Sequence, residues 1–222
     1  MVARSREEVA FGTYLLDALG HRTTPEDVIR TLEEGAKHDL FDQVIHVGDV
    51  KLFVDYDGGH YHTASRLDRD ESKSLDCLKA HANAIVLRVR VGAPELRVEH
   101  PRLVVVHVDK AHPGRALKAV CQPLSKVLPT IQKLSLVMSS RKPVLDAVFH
   151  DVVKALDRKF AKQFSTLESF VGTKAAKKLR SVHSVATLLE RGTFVASCAT
   201  LQAELRLSTE QLVTLMSDGV AA

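Results

Sequence analysis

The pattern of apolar and polar positions divides the chain into two parts. In the first part, helical patterns alternate with short apolar runs rich in β-branched residues, at 44–47, 52–54, 84–91 and 103–108. Beyond Pro113 no run predicts a further strand, and the apolar spacing is helical. The order helix-strand-strand-helix-strand predicts an α/β domain over residues 1–138, with a mixed sheet between helices, followed by an all-helical region over residues 139–222.

The first two helices are marked by capping residues. Ser5–Glu8 has the form of a capping box, and Gly20 is expected to end the helix that follows. Thr24 is expected to cap the second helix with Pro25 at its first position, and Gly35 is expected to close it. A third helix is predicted between residues 65 and 82.

A tight turn at Gly48-Asp49 joins the first two β-prone runs into a predicted hairpin. Asp42 and Asp55 are separated from this turn by equal numbers of residues, so they are expected to lie side by side at one end of the hairpin. Asp57 follows just beyond, and we expect it at an exposed strand end. Paired carboxylates of this kind are typical ligands of a hard cation such as Mg²⁺.

Four segments together carry a family resemblance. They are Phe41-Asp42, the block Val54–His62 (VDYDGGHYH), Arg69–Lys73 (RDESK) and Val86–Arg90 (VLRVR). The first half of the chain thereby resembles the PD-(D/E)XK nuclease superfamily, and within it the branch related to very-short-patch-repair mismatch endonucleases. The resemblance implies a restriction-endonuclease-like sheet flanked by helices and hydrolysis of phosphodiester bonds in DNA, assisted by Mg²⁺ or Mn²⁺.

The resemblance also implies roles for individual residues. Asp42 and Asp55 would be metal ligands, and His62 would match the histidine that ends the family's block. The family's first helix contributes a glutamate, for which Glu8 is the first candidate and Glu7 the alternative. A role for Glu8 in helix capping alone stays equally open.

The sequence departs from the family pattern at three places. Asp55 stands where glutamate is usual, Asp57 stands where the active-site lysine is expected, and Ala82-Asn83 replaces a glycine before the last core strand. Lys73 could supply the missing cation from the third helix, although a solvated helix face would also explain it. Asp57 would then be a further metal contact or an acceptor that orients His62.

The histidines in the block suggest two kinds of chemistry. His62 or His60 could act as a general acid or base, because imidazole titrates near neutral pH. A zinc site formed by His60, His62 and Asp57 is the competing interpretation, and it lacks a clear further ligand.

The positive charge of the chain is concentrated in its second part. The whole chain has a formal charge of +4 and a pI near 9.0. Residues 141–180 alone contain ten basic and four acidic side chains, among them Lys174, Lys177 and Lys178. Such clustering predicts a nucleic-acid surface, with a solvated helix exterior as the alternative. Arg88 and Arg90, on one face of a strand, could contact phosphate or pair with acids.

The rest of the composition bears on the number of domains and on the cellular compartment. Hydrophobic residues make up 45% of the chain, which is enough for one or two folded domains. The three cysteines are far apart, show no zinc-site spacing and are typical of a reducing intracellular compartment, such as cytoplasm, nucleus or organelle matrix. No apolar run is long enough to predict a secretion signal or a membrane span.

Two functions from different classes are therefore predicted. The first is a metal-dependent endonuclease that acts on DNA, at a mismatched or otherwise distorted structure. The second is a binding module for DNA or RNA that keeps the nuclease fold without cutting. Asp42, Asp55 and His62 favour the endonuclease, and the absence of a lysine at the position of Asp57 favours the binding module.

Overall fold

A computed structural model describes residues 6–38, 41–59, 62–128 and 141–158, together with 208 and 210. Its elements follow the chain in this order: α1 (Arg6–Ala18), α2 (Pro25–Lys37), β1 (Gln43–Val47), β2 (Val50–Gly58), a 3₁₀ turn (Ala64–Arg66), α3 (Leu67–Ala80), β3 (Ala84–Val91), β4 (Leu103–Val108) and α4 (Pro113–Ser125). A fifth helix, α5, covers 141–158.

The four strands form one open mixed sheet in the order β1-β2-β3-β4. β1 and β2 are antiparallel, whereas β3 is parallel to both β2 and β4. The helix α3 makes the crossover that a parallel pair requires. This arrangement confirms the predicted α/β class.

The predicted hairpin is confirmed in its register. Val47 pairs with Val50 and Gln43 pairs with Val54, so Asp42 and Asp55 occupy the next opposed positions. The turn between the strands contains Gly48 at a φ of 58°, a left-handed conformation that glycine adopts without a steric penalty. The hairpin thus places the two aspartates opposite each other as expected.

Strand register also decides which side chains share a face of the sheet. Asp55 pairs with Arg88 and Asp57 pairs with Arg90, so these four side chains project from the same face. Tyr56 projects from the other face, where its ring lies 5.3 Å from that of Phe11 in α1, measured between centroids.

The start of α2 agrees with the prediction from sequence, whereas its end does not. The Thr24 side chain accepts a hydrogen bond from the backbone N–H of Asp27, as predicted for a cap. The helix does not close at Gly35 but continues to Lys37. A Cβ at Gly35 would lie 2.5 Å from the carbonyl oxygen of Phe41. The glycine is therefore explained by close packing beneath the helix rather than by a helix end.

The later elements follow the predicted pattern closely. β3 and β4 have the predicted bounds, and α3 begins after a short 3₁₀ turn. The α4 helix starts at Pro113 and contains Pro123 in its last turn, where the helix ends soon afterwards.

The chain divides into two compact units, Ser5–Val152 and Met1–Arg4 with Val153–Ala222. The unit that contains the sheet includes the start of α5, where Arg141 bonds to Asp17 at 2.6 Å and Asp146 accepts a hydrogen bond from the Tyr14 hydroxyl. The predicted helices after residue 158 and the predicted contacts of Lys174, Lys177 and Lys178 lie outside the described residues.

Two further observations concern membrane-spanning helices and the state of the cysteines. None of the helices in the described ranges is both long and apolar enough to cross a membrane. Cys77 and Cys121 carry free thiols, and Cys198 lies outside the described residues.

Candidate functional site

Charged side chains are buried at the carboxyl ends of the parallel strands β2 and β3, beneath the first half of α3. Their exposed fractions are 3% for Asp55, 1% for Asp57, 5% for Asp70 and 0% for both Arg88 and Arg90. Charged groups are almost never buried to this degree unless they are paired. We call these five residues the ionic cluster.

Arg88 is the most extensively bonded member of the ionic cluster. Its Nε and Nη2 donate to the two oxygens of Asp57 at 2.8 and 2.7 Å, which is a bidentate pair. Its Nη1 donates to the backbone carbonyl of Asp70 at 2.9 Å and to the Ser74 hydroxyl at 3.1 Å. The guanidinium thereby joins strand β2 to helix α3.

Arg90 links the same carboxylates to a loop. Its Nη1 lies 3.0 Å from Oδ2 of Asp57 and 2.8 Å from Oδ2 of Asp70. Its Nε and Nη2 donate to the carbonyl oxygen of Pro94, at 3.0 and 2.8 Å. Of the two predictions for Arg88 and Arg90, the structure shows pairing with acids. Contact with phosphate has no support, because both side chains are fully buried.

Asp57 differs from its expected position. The sequence placed it at an exposed strand end, but its side chain is buried in contact with Arg88, Arg90 and His62. Both of its oxygens accept hydrogen bonds from Arg88, and Oδ2 also accepts one from Arg90. Asp57 therefore accepts hydrogen bonds from two arginines of the neighbouring strand.

Lys73 reaches the strand carboxylates from α3, the helix from which it was expected to supply the missing cation. Its Nζ donates to both oxygens of Asp55, at 2.9 and 2.7 Å, and lies 4.1 Å from the centroid of the Phe41 ring. The backbone N–H of Asp42 donates to Oδ1 of Asp55 at 3.2 Å, and Oδ2 of Asp42 accepts from the backbone N–H of Tyr56 at 2.7 Å. Asp42, Asp55 and Lys73 thus form one group at the end of the hairpin.

The charges around Asp55 change its acidity. Burial alone would raise the pKa of its carboxyl group, but the neighbouring Lys73 and Arg88 outweigh burial and lower that pKa. Asp55 is therefore an anion at neutral pH. Its negative charge is balanced by cations from two different elements, β3 and α3.

His62 lies at the edge of the ionic cluster, where its side chain is 28% exposed. Its Nδ1 is 2.8 Å from Oδ2 of Asp70 and 3.3 Å from Oδ1 of Asp57. Burial would lower the pKa of the imidazole, but its hydrogen bond to Asp70 and the two negative charges raise it. The pKa of Asp70 is in turn held well below its ordinary value: burial opposes this shift, and His62, Arg90 and Arg88 outweigh it.

Asp70 was missed as a site residue, although the sequence contained a signal for it. It lies one helical turn before Lys73, so the two side chains project from neighbouring positions on α3. Asp70 also stands in the quoted segment Arg69–Lys73. Its pairing with His62 and Arg90 depends on three separate elements, and no local pattern in the sequence predicts such a contact.

Asp57, His62 and Asp70 could together hold a metal ion. Each offers one ligand atom, and these atoms lie within 4.8 Å of one another. Two carboxylate oxygens and one imidazole nitrogen suit several transition metals as well as zinc. The predicted ligand pair for Mg²⁺, Asp42 and Asp55, has an all-oxygen donor set that suits a hard cation, and it stays a prediction.

Two further site candidates from the sequence are Glu8 and His60. Glu8 is half-buried in the first turn of α1. The pKa of the Tyr56 hydroxyl is raised to about 12, first by burial and then by the charges of Glu7 and Glu8. This influence is exerted on the face of β2 opposite to Asp55. His60, and with it the predicted zinc site, lies outside the described residues.

No protein-family model, curated protein or solved structure matches this chain. The resemblance to nucleases therefore rests on the quoted segments, and the function must be argued from the site itself.

Proposed function

We propose that this protein is a restriction-endonuclease-like enzyme that hydrolyses phosphodiester bonds in DNA. The observation that supports this most is the position of Lys73, whose ammonium group contacts both oxygens of Asp55 next to Asp42. Two carboxylates and a lysine at the end of a strand hairpin are the groups that the family resemblance requires. The lysine comes from α3 instead of the strand.

The proposed roles follow from the chemistry of these groups. Asp42 and Asp55 would hold Mg²⁺ or Mn²⁺, which supplies charge stabilisation and an activated water when bound. Lys73 would stabilise the negative charge that develops on the phosphate oxygens in the transition state. Because Nδ1 of His62 is engaged by Asp70, its Nε2 is the atom that would accept or donate a proton.

A second candidate is a binding module for nucleic acid that does not cut. It is favoured by the charge balance of the site, in which each buried carboxylate already accepts hydrogen bonds from cationic side chains. Asp55 accepts from Lys73, Asp57 from Arg88, and Asp70 from Arg90. A cation that binds these carboxylates must compete with the existing partners, which disfavours tight metal binding.

A cleavage assay separates the two candidates. Labelled DNA and RNA substrates (matched, mismatched and branched) are incubated with the protein in Mg²⁺, Mn²⁺ or EDTA. Asp55→Asn is the test variant, and Asp76→Asn is its matched control, because Asp76 lies on the exposed side of α3 with 68% of its side chain accessible. We expect metal-dependent cleavage of DNA by the wild type and by Asp76→Asn, and its loss in Asp55→Asn.

The opposite results are equally informative. A wild-type protein that binds a substrate but leaves it uncut with either metal would overturn the enzyme proposal and favour the binding module. Cleavage that is unchanged in Asp55→Asn would show that this carboxylate has no part in the reaction.

A further inference from the structure

A second group of carboxylate and imidazole side chains lies toward the other end of the hairpin, away from the ionic cluster. It consists of Glu34 and His38 near the carboxyl end of α2 and His46 on β1. The two elements pack against each other. None of these three residues takes part in the proposed nuclease chemistry.

Two imidazoles in this group approach the same carboxylate oxygen. Oε1 of Glu34 is 3.3 Å from Nε2 of His38 and 3.9 Å from Nε2 of His46. The side chains are accessible to an ion from solvent, with exposed fractions of 29% for Glu34, 26% for His38 and 55% for His46.

The two distances from Glu34 are close to those between ligand atoms of a bound ion. With bonds of about 2.1 Å, two ligand atoms of a tetrahedral zinc ion lie about 3.4 Å apart. Glu34 and His38 are four positions apart, so successive turns of the helix present both donors on one side. Among the described residues, only Asp57, His62 and Asp70 already have all their ligand atoms within 4.8 Å of one another. His46 must therefore turn toward His38, and its exposure allows this.

The surroundings hold one of the two imidazoles in place. The His38 ring packs edge-on against Phe53, at 5.6 Å between centroids, and against His81 at the same distance. The Phe53 ring is fully buried. His38 is thus supported by the core, which lowers the entropic cost of ordering it around an ion.

We propose that Glu34, His38 and His46 form a binding site for Zn²⁺ or a similar transition-metal ion, with water in the fourth position. Imidazole and carboxylate are suitable ligands for such ions, whereas Mg²⁺ prefers an all-oxygen environment. A bound ion would connect α2 to the hairpin and stabilise the folded state by mass action. His46 pairs with Lys51, so the site lies about 13 Å along β2 from Asp55.

The test uses the full-length protein after removal of metals with EDTA and dialysis. Zn²⁺ is titrated calorimetrically, and ¹⁵N spectra of the imidazoles identify the nitrogen atoms that bind it. The test variants are Glu34→Gln and His46→Gln. His107→Gln on β4 is the control, because it is another exposed strand histidine, and His62→Gln removes the histidine of the other candidate group.

We expect the wild type to bind Zn²⁺ with a shift of the His38 and His46 Nε2 signals and an increase in Tm. Glu34→Gln and His46→Gln should bind at this site at least tenfold more weakly and should lose the Tm increase. His107→Gln and His62→Gln should retain it. A wild type whose His38 and His46 signals do not respond to Zn²⁺, or unchanged affinity at this site in both test variants, would overturn the proposal. Neither result depends on whether the protein cuts DNA.

Discussion

One face of the sheet has two halves of opposite character, and both are covered by α3. Beneath the second half of the helix lies an apolar core made of Phe41, Val44, Phe53, Cys77, Leu78, Ala84 and Val86. Beneath the first half lies the ionic cluster. The same strands and the same helix therefore bury hydrocarbon at one end and charge at the other.

The two halves are expected to contribute differently to the net stability of the fold. Burial of apolar surface stabilises the folded state directly, whereas a buried ion pair recovers little more than the cost of removing its charges from water. An apolar replacement of similar volume is often as stable as such a pair. The five charged residues of the ionic cluster are thus expected to add little net stability, although the loss of any one partner is costly.

The largest effect is expected when one member of the ionic cluster is removed. Arg88→Met leaves Asp57 as a buried carboxylate without its bidentate partner, and this should lower the free energy of unfolding by about 3–5 kcal/mol. Urea unfolding followed by circular dichroism measures this effect. A loss below about 1 kcal/mol would contradict the pairing described here, since one partner of a buried pair would then be dispensable.

A truncation in the apolar half should have a similar or smaller effect on stability and a different effect on function. Leu78→Ala removes a fully buried side chain and should lower the free energy of unfolding by about 2–5 kcal/mol. The fraction that remains folded should cut DNA at the wild-type rate. A folded Leu78→Ala protein that had lost cleavage would mean that the two halves are functionally coupled.

A smaller effect is expected from the protonation of His62. Its pKa is raised in the folded state by Asp70 and Asp57, against the effects of burial and of Arg88. The stabilisation from its positive charge is therefore complete below the unfolded pKa of about 6.5 and is lost as pH rises through the folded pKa. His62→Gln should remove this decline in a series of unfolding measurements between pH 5 and 9, taken about one pH unit apart. An identical decline in the variant would assign it to another group.

Features that depend on short-range geometry could be predicted from the sequence. The hairpin register followed from the turn at Gly48-Asp49 and from the equal numbers of residues on its two sides, and it placed Asp42 opposite Asp55. The Thr24 cap followed from local hydrogen bonding. Lys73 could be named as a candidate cation because it lies on the predicted third helix, one turn after Arg69.

The features that the sequence did not predict depend on contacts between elements that are distant along the chain. Asp57 is buried beside two arginines that β3 contributes from more than 30 residues further along the chain. The role of Asp70 requires β3, α3 and the segment before α3 to meet at one point. Gly35 looked like a helix end, yet it lies where α2 passes close to the backbone of Phe41.

The proposed role of Lys73 is tested most directly by single-turnover cleavage of one labelled DNA substrate in Mn²⁺. Lys73→Gln keeps a polar side chain but removes the charge that contacts Asp55. Lys79→Gln is the matched control, because Lys79 lies on the same helix, is 76% exposed and pairs only weakly with Asp76, at 3.4 Å. Substrate affinity is measured for each protein, so that a loss of binding is separated from a loss of rate.

We predict that Lys73→Gln cuts at least tenfold more slowly than the wild type at equal substrate occupancy, while Lys79→Gln cuts at the wild-type rate. A Lys73→Gln protein that cuts as fast as the wild type would contradict the account, because the group formed by Asp42, Asp55 and Lys73 would then not be the catalytic centre.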